Sequence, residues 1–144
     1  MVFDERPLTD GEVQLIVHHT CDQDPSRHGL PVYYYRICTS DGETAGWCDL
    51  RIGDDAYTHC AGNIGYQIEE AYRGHHYAAK AVRLLLTRAR QHGLPGIVIA
   101  CEVDNTASRK TCEYAGGTLT GRIRTEAGLG LEPGVELCVY RFSL

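Results

Sequence analysis

Gln67-Ile-Glu-Glu-Ala-Tyr-Arg-Gly-His-His-Tyr-Ala-Ala-Lys-Ala81 is the stretch on which the fold turns. It joins a run of strand-forming residues, Asn63 to Ile68, to the clearest helical pattern in the chain. From Tyr77 onward, Tyr77, Ala81, Leu85 and Ala89 recur every fourth residue beside Ala78, Val82 and Leu86, while Lys80, Arg83, Thr87 and Arg90 fall on the other side. That spacing predicts an amphipathic helix over 77–91, stopped by Gly93 and Pro95. The first turn of a helix presents amide groups with no intrahelical partner, at the positive end of the dipole. A loop entering it therefore suits phosphate oxygens, and here Gly74 permits close backbone approach while Arg73 adds charge. Residues 71–110 carry seven basic side chains against Glu102 and Asp104, a local balance of +5.

Working outward, Ile97-Val-Ile-Ala-Cys101 is an uninterrupted apolar run of the kind buried on both faces. Asp104-Asn105 can cap a short helix, Thr106 to Ala115, which Gly116-Gly117 ends. Strands are expected at Thr118–Arg124 and Val135–Phe142, joined by the glycine-rich stretch 125–134. Upstream, strands are expected at Glu12–His18, Pro31–Cys38 and Ala45–Ile52. The turn Ser40-Asp41-Gly42-Glu43 joins the last two as a hairpin, and a polar loop covers Thr20 to Leu30. The fold class is therefore α/β (α+β). A mixed, mostly antiparallel central sheet of six to seven strands is expected, with a parallel strand-helix-strand crossover from Asn63 to Cys101.

The chain has 144 residues, the size of one domain, and 43% hydrophobic and 23% charged residues, ordinary for a globular protein. Its net charge of −5 argues against a nucleic-acid partner. The charge is uneven: residues 1–70 carry 13 acidic and 4 basic side chains, residues 71–144 carry 6 and 10. Seven cysteines, none in a C-x-x-C pair, fit neither a disulfide framework nor a zinc clasp, and a reducing cytoplasm is expected. The charged start and the short apolar cluster Leu15-Ile16-Val17 give no expectation of a signal peptide or a membrane span. No metal site is expected at His18-His19 or His75-His76, because neighbours on a strand point to opposite faces.

Arg73-Gly74-His75-His76-Tyr77-Ala78 resembles the pyrophosphate loop of the GNAT superfamily of acyl-CoA-dependent N-acetyltransferases, Q/R-x-x-G-x-G/A, with His76 standing at the central glycine. Asn105, with Ser108 three residues on and a short helix ending at Gly116-Gly117, resembles the family's second signature. The resemblance implies one GNAT-like domain over residues 1–144 that uses acetyl-CoA as acetyl donor. It implies cofactor contacts at the amides of Gly74, His75, His76, Tyr77 and Ala78, at Arg73, at the main chain of Ile68, and at Asn105 and Ser108. It also implies that the strands matching 63–68 and 97–101 splay apart to admit the thioester. The helices that the family usually places between its first two strands have no counterpart in the loop Thr20 to Leu30.

The implied reaction is direct attack of an amine on the acetyl carbonyl in a ternary complex. It requires a base, an oxyanion donor and a proton for the thiolate. A backbone N–H near Ile68 is the candidate oxyanion donor. Glu102 is the preferred base, with Glu69 and Glu70 as rivals. The family's general-acid tyrosine, seven residues after the asparagine, is replaced here by Cys112, a thiol that can donate a proton or simply pack the helix. The acceptor is an amine, on a small molecule or a protein. Whether a homodimer completes the acceptor side stays open. The alternative function is a CoA-binding regulatory module with little or no turnover, and a third is a small interaction domain.

Overall fold

In the computed structural model, which describes residues 1–144, eight strands and three α-helices follow the order β1 (Leu8–Thr9), β2 (Val13–Asp24), β3 (Leu30–Thr39), β4 (Thr44–Arg51), α1 (Ala56–Ala61), β5 (Ile64–Ile68), α2 (Tyr77–Gln91), β6 (Gly96–Glu102), α3 (Thr106–Tyr114), β7 (Thr118–Arg124) and β8 (Glu136–Ser143). The expected mixed α+β architecture is present, but its sheet is divided. Strands β1 to β5 form one sheet in sequence order, and β6-β8-β7 form a second of three strands. Every pairing in both is antiparallel. No ladder joins β5 to β6.

The two sheets are clasped at one point. Asn63, just before β5, donates its backbone N–H to the Val98 carbonyl at 2.6 Å, and its side-chain oxygen accepts the Val98 N–H at 2.9 Å. Its amide nitrogen donates to the carbonyls of Arg51 at 3.0 Å and Gly53 at 2.9 Å. Beside it, a Cβ on Gly62 would come within 3.0 Å of the Val98 carbonyl, so the close approach requires glycine there. Beyond this clasp β5 keeps a free edge.

The large sheet buries Leu15, Tyr33, Tyr35, Ile37 and Leu50 against the apolar face of α2, where Ala81, Val82, Leu85 and Ala89 are fully enclosed. This is the face that the period of 3.6 marks. Arg88 on the same face is only 1% exposed. It pairs with Asp4 at 2.7 Å and donates to the Tyr35 hydroxyl at 3.1 Å, tying the N-terminal segment over the helix. The cations of the second half are thus not all available to a ligand.

Three local expectations are corrected. The loop expected over Thr20 to Leu30 is mostly strand, because Thr20, Cys21 and Asp24 pair with Tyr33, Val32 and Leu30 and carry β2 to a tight tip at Pro25–Arg27. No element is expected between Ile52 and Asn63, yet α1 lies there, started by a capping box in which Asp55 and Thr58 satisfy each other's backbone amides. Finally, β2 bulges between Val17 and His19, so His18 is an extra residue, and both imidazoles turn to one side with their Nδ1 atoms 2.7 Å apart. A bulge cancels the alternation from which opposite faces are expected.

Candidate active site

The loop from Glu69 to His76 leaves β5 and enters α2 through two left-handed residues, Gly74 at φ +91° and His76 at φ +59°. A β-carbon is rarely found there, and His is among the exceptions. Lys80 is the first α2 residue whose amide finds an acceptor, the His76 carbonyl at 3.0 Å. The amides of Gly74, His75, His76, Tyr77, Ala78 and Ala79 have no acceptor in the protein. The His76 imidazole does not cap them. It stacks on Tyr114 of α3, with centroids 3.9 Å apart and planes at 5°, and Arg83 covers the Tyr114 ring at 5.2 Å.

These amides open onto a cavity of about 760 Å³ between the end of β5, the start of α2 and the exposed side of α3. It is lined by Ile68, Arg73, Gly74, His76, Tyr77, Ala78, Asn105 and Ser108, eight of the nine residues expected to contact a cofactor, and His75 is outside the lining. Seven further residues line it, among them Lys110, one of the seven cations counted above, Tyr114, and Tyr66, which no sequence pattern singles out. Asn105 caps α3 by accepting the Ser108 amide at 3.1 Å, which explains the spacing of that pair. Arg73 donates from Nε to the Ile68 carbonyl at 3.1 Å, and this bond ties the loop to the strand end. Glu69 donates its N–H to Ala45 of β4. Because antiparallel backbone groups alternate in direction, the N–H of Ile68 and of Tyr66 point away from β4, to the open side.

Tyr66 crosses the gap between β5 and α3. Its hydroxyl lies 2.7 Å from Ser108 Oγ and 3.9 Å from Cys112 Sγ. Burial holds its proton well above the usual phenol range. Cys112 has no exposed surface and does not line the cavity, and burial pushes its thiol up to about 12. Glu102 is exposed at the end of β6, outside both large cavities. Glu69 and Glu70 are also exposed and outside them.

A second cavity, of about 440 Å³, lies on the outer face of the large sheet and shares Tyr66 and Gln67 with the first. Tyr34, Trp47 and the His18-His19 pair form its aromatic side, and Arg27, Asp49 and Arg51 its charged side. The three consecutive tyrosines divide by strand alternation: Tyr33 and Tyr35 are buried in the core, while Tyr34 faces this cavity.

No helix of the structure is long and apolar enough to cross a membrane.

Comparison with solved structures places the fold among acetyltransferases. The microcin C7 self-immunity acetyltransferase MccE, solved with acetyl-CoA and AMP, superposes with a TM-score of 0.62 at 23% identity, over 78% of this chain and 61% of that one. The Salmonella typhimurium acetyltransferase that modifies the N-terminal serine of ribosomal protein L7/L12 gives 0.61 at 23% identity, over 78% and 64%. Mycobacterium smegmatis RimJ, solved with CoA-disulfide, gives 0.62 at 20% identity, over 81% and 55%. The chain thus spans less than two thirds of the length of each of these relatives. No curated protein matches it. The model of the acetyltransferase (GNAT) domain matches residues 1–118, most of the sequence, and on that match the chain belongs to the GNAT acetyltransferase family.

Proposed function

We propose that this protein is an N-acetyltransferase that moves an acetyl group from acetyl-CoA to a primary amine by direct attack in a ternary complex. One observation carries the reading: a row of unpartnered amides from Gly74 to Ala79 and the free edge of β5 open onto the same cavity. The first suits a diphosphate at a helix N-terminus, and the second suits an extended arm that adds to a strand edge. In this reading β5, α2 and β6 make the parallel crossover, parted beyond the Asn63 clasp so that a thioester can enter.

Each chemical requirement then has a residue. The amides of Gly74 to Ala78, with Arg73 and Lys110 beside them, hold the diphosphate. His75 contributes through its backbone alone. Asn105 and Ser108 flank the arm from α3. The N–H of Ile68 on the open edge of β5 serves the pantetheine, and the N–H groups of that edge receive the negative charge that develops on the carbonyl oxygen. Glu102, exposed at the end of β6, takes a proton from the ammonium form of the acceptor through water, leaving a neutral amine. The amine nitrogen bonds to the carbonyl carbon and gives up a proton to the same water, the carbon–sulfur bond breaks, and the departing sulfur takes the proton of Tyr66, which solvent then restores. The acid role expected at Cys112 passes in this way to the hydroxyl in front of it. Cys112 and Ser108 position that hydroxyl, which burial keeps protonated and so able to donate as the carbon–sulfur bond breaks.

Calorimetry with acetyl-CoA tests the reading. Binding in the micromolar range is expected, with marked weakening in Arg73→Glu, and absence of binding to the parent protein refutes it. The exposed placement of Glu102 and the buried Cys112 favour a second reading, a CoA-binding module without turnover. There CoA would raise the melting temperature and no amine would release thiol. All seven cysteines are free thiols, which supports a reducing, cytoplasmic setting.

A further inference from the structure

We infer that the cavity on the outer face of the large sheet takes the acceptor, and that it selects amines bearing a carboxylate several ångströms from the nitrogen, with an apolar or aromatic body between. The inference rests on the acetyl-transfer reading and adds the substrate class.

Arg27 is the group that points to an anion. It sits at the tip of the β2–β3 hairpin, in the turn that Asp24 starts by accepting the Ser26 amide at 2.9 Å. His28, stacked on Tyr57 of α1 at 5.2 Å, pins the same tip to the neighbouring helix. The Arg27 guanidinium makes one long hydrogen bond, from Nη1 to the Ser26 carbonyl at 3.3 Å. Its Nε is enclosed and has no hydrogen-bond partner, an arrangement that costs stability unless something else accepts.

The two nearby carboxylates are already used. Asp49 is 3.6 Å from Arg27 Nε, beyond hydrogen-bond range, and accepts from Arg51 Nε at 2.7 Å and Nη2 at 3.4 Å. Asp24 accepts from the amide and hydroxyl of Ser26 and from the Tyr34 hydroxyl. Arg51 spends Nη1 on the carbonyls of Ala61 and Gly62. The four charges balance, and Arg27, with one long hydrogen bond against the four of Arg51, keeps the most donors to offer. A planar guanidinium with open donors matches a carboxylate.

Register gives the spacing. Asp49 lies opposite Gly65 and Trp47 opposite Gln67, so the Arg27 end is two residues along β5 from Gln67, where the cavities meet. At about 3.3 Å per residue that is roughly 7 Å. An α-amino acid, whose nitrogen and carboxylate share one carbon, is too short to bridge it. A dipeptide with free ends spans it. Aromatic rings stand at both ends of this span, Trp47, 41% exposed, opposite Gln67, and Tyr34 opposite Asp49, stacked on His19 at 4.4 Å and 12°. Such faces suit an apolar or aromatic side chain.

The test measures thiol release with acetyl-CoA and either glycyl-phenylalanine or its C-terminal amide, which removes the anion at nearly constant shape. The parent protein should prefer the acid by about tenfold or more in kcat/KM, the range for a charge-assisted bond. Arg27→Gln should abolish the preference by raising KM for the acid alone, with melting temperature and acetyl-CoA affinity unchanged, and Arg27→Lys should restore part of it. Equal use of acid and amide, equal damage to both by Arg27→Gln, or use of neither while acetyl-CoA still binds overturns the inference. Failure of acetyl-CoA to bind refutes the acetyl-transfer reading itself.

Discussion

Replacing Asn63 by leucine removes the side-chain bonds of the clasp between the two sheets, leaving its backbone bond to the Val98 carbonyl, while keeping the size of the side chain. Three groups lose their partner: the Val98 N–H and the carbonyls of Arg51 and Gly53. A buried polar group left without a partner costs about 1–3 kcal/mol. Gly53 is half-exposed and water can reach it, so it counts at the low end. The sum is roughly 3–6 kcal/mol, and burying an apolar side chain in place of the amide returns about 1–2 kcal/mol. A net loss of about 2–4 kcal/mol is a large share of the ~5–15 kcal/mol that holds an ordinary domain together. At about 2–4 °C per kcal/mol for a chain of this size, the melting temperature should drop by roughly 5–15 °C. Urea unfolding with an unchanged m-value, together with calorimetric melting, reads the effect. A variant within 1 kcal/mol of the parent would show that the sheets are held together elsewhere, and would remove the explanation for where they part.

Two further perturbations separate chemistry from packing and stability from pH. Tyr66→Phe should lower kcat on the order of a hundredfold, the usual worth of a general acid, with acetyl-CoA affinity retained, whereas Cys112→Ala should change kcat far less; the reverse order in a thiol-release assay would return the acid role to the thiol. The Tyr33 hydroxyl shares a hydrogen bond with His92 Nε2 at 2.6 Å and accepts the Asp4 amide at 2.8 Å, and burial, with the Arg88 charge second, lowers the His92 pKa. A lowered value means that the fold favours the neutral ring. The contribution is therefore complete above the unfolded value of about 6.5 and is lost as pH falls through that value toward the folded one. Urea midpoints between about pH 7 and pH 5 should fall more steeply in the parent than in His92→Gln, and parallel slopes would contradict the assignment.

The parts of the fold legible in the sequence are those in which local pattern and burial agree. Helix α2 is readable because its apolar stripe is also its buried stripe, and the cavity-lining loop before it because a helix N-terminus, glycine and arginine coincide there. What escaped depends on pairing across the chain. Polar Thr20 and Cys21 look like loop, but a ten-residue partner strand carries them as sheet. The division of the sheet rests on one asparagine whose bonds reach two segments, 51–53 and Val98, and the second lies 35 residues away, beyond any local pattern around Asn63. Tyr66 reads as an ordinary strand residue until the fold brings α3 to its hydroxyl. The charge count misled for the same reason: Arg88 is spent on Asp4, Lys80 on Glu12 and Arg109 on Tyr140 and Val103, so only Arg73 and Lys110 of the seven cations line the cavity.

Histidine at the family's central glycine position shows how a departure from the pattern can leave the cradle intact. The left-handed backbone at His76 costs about 1–2 kcal/mol for a residue with a β-carbon. Stacking on Tyr114, itself backed by Arg83, returns about 0.5–1.5 kcal/mol beyond area burial. The two nearly cancel, so the substitution is tolerated by stability alone. The direction of the ring matters more than its energy. Held against α3, the imidazole cannot fold back over the amides of Tyr77 to Ala79, which therefore stay open to a diphosphate, and the loop gains a contact to α3 that a glycine could not make. The residue that departs from the motif thus joins the two elements that line the cavity, and the diphosphate binding proposed for this backbone, which would need only N–H groups, does not depend on the side chain at 76.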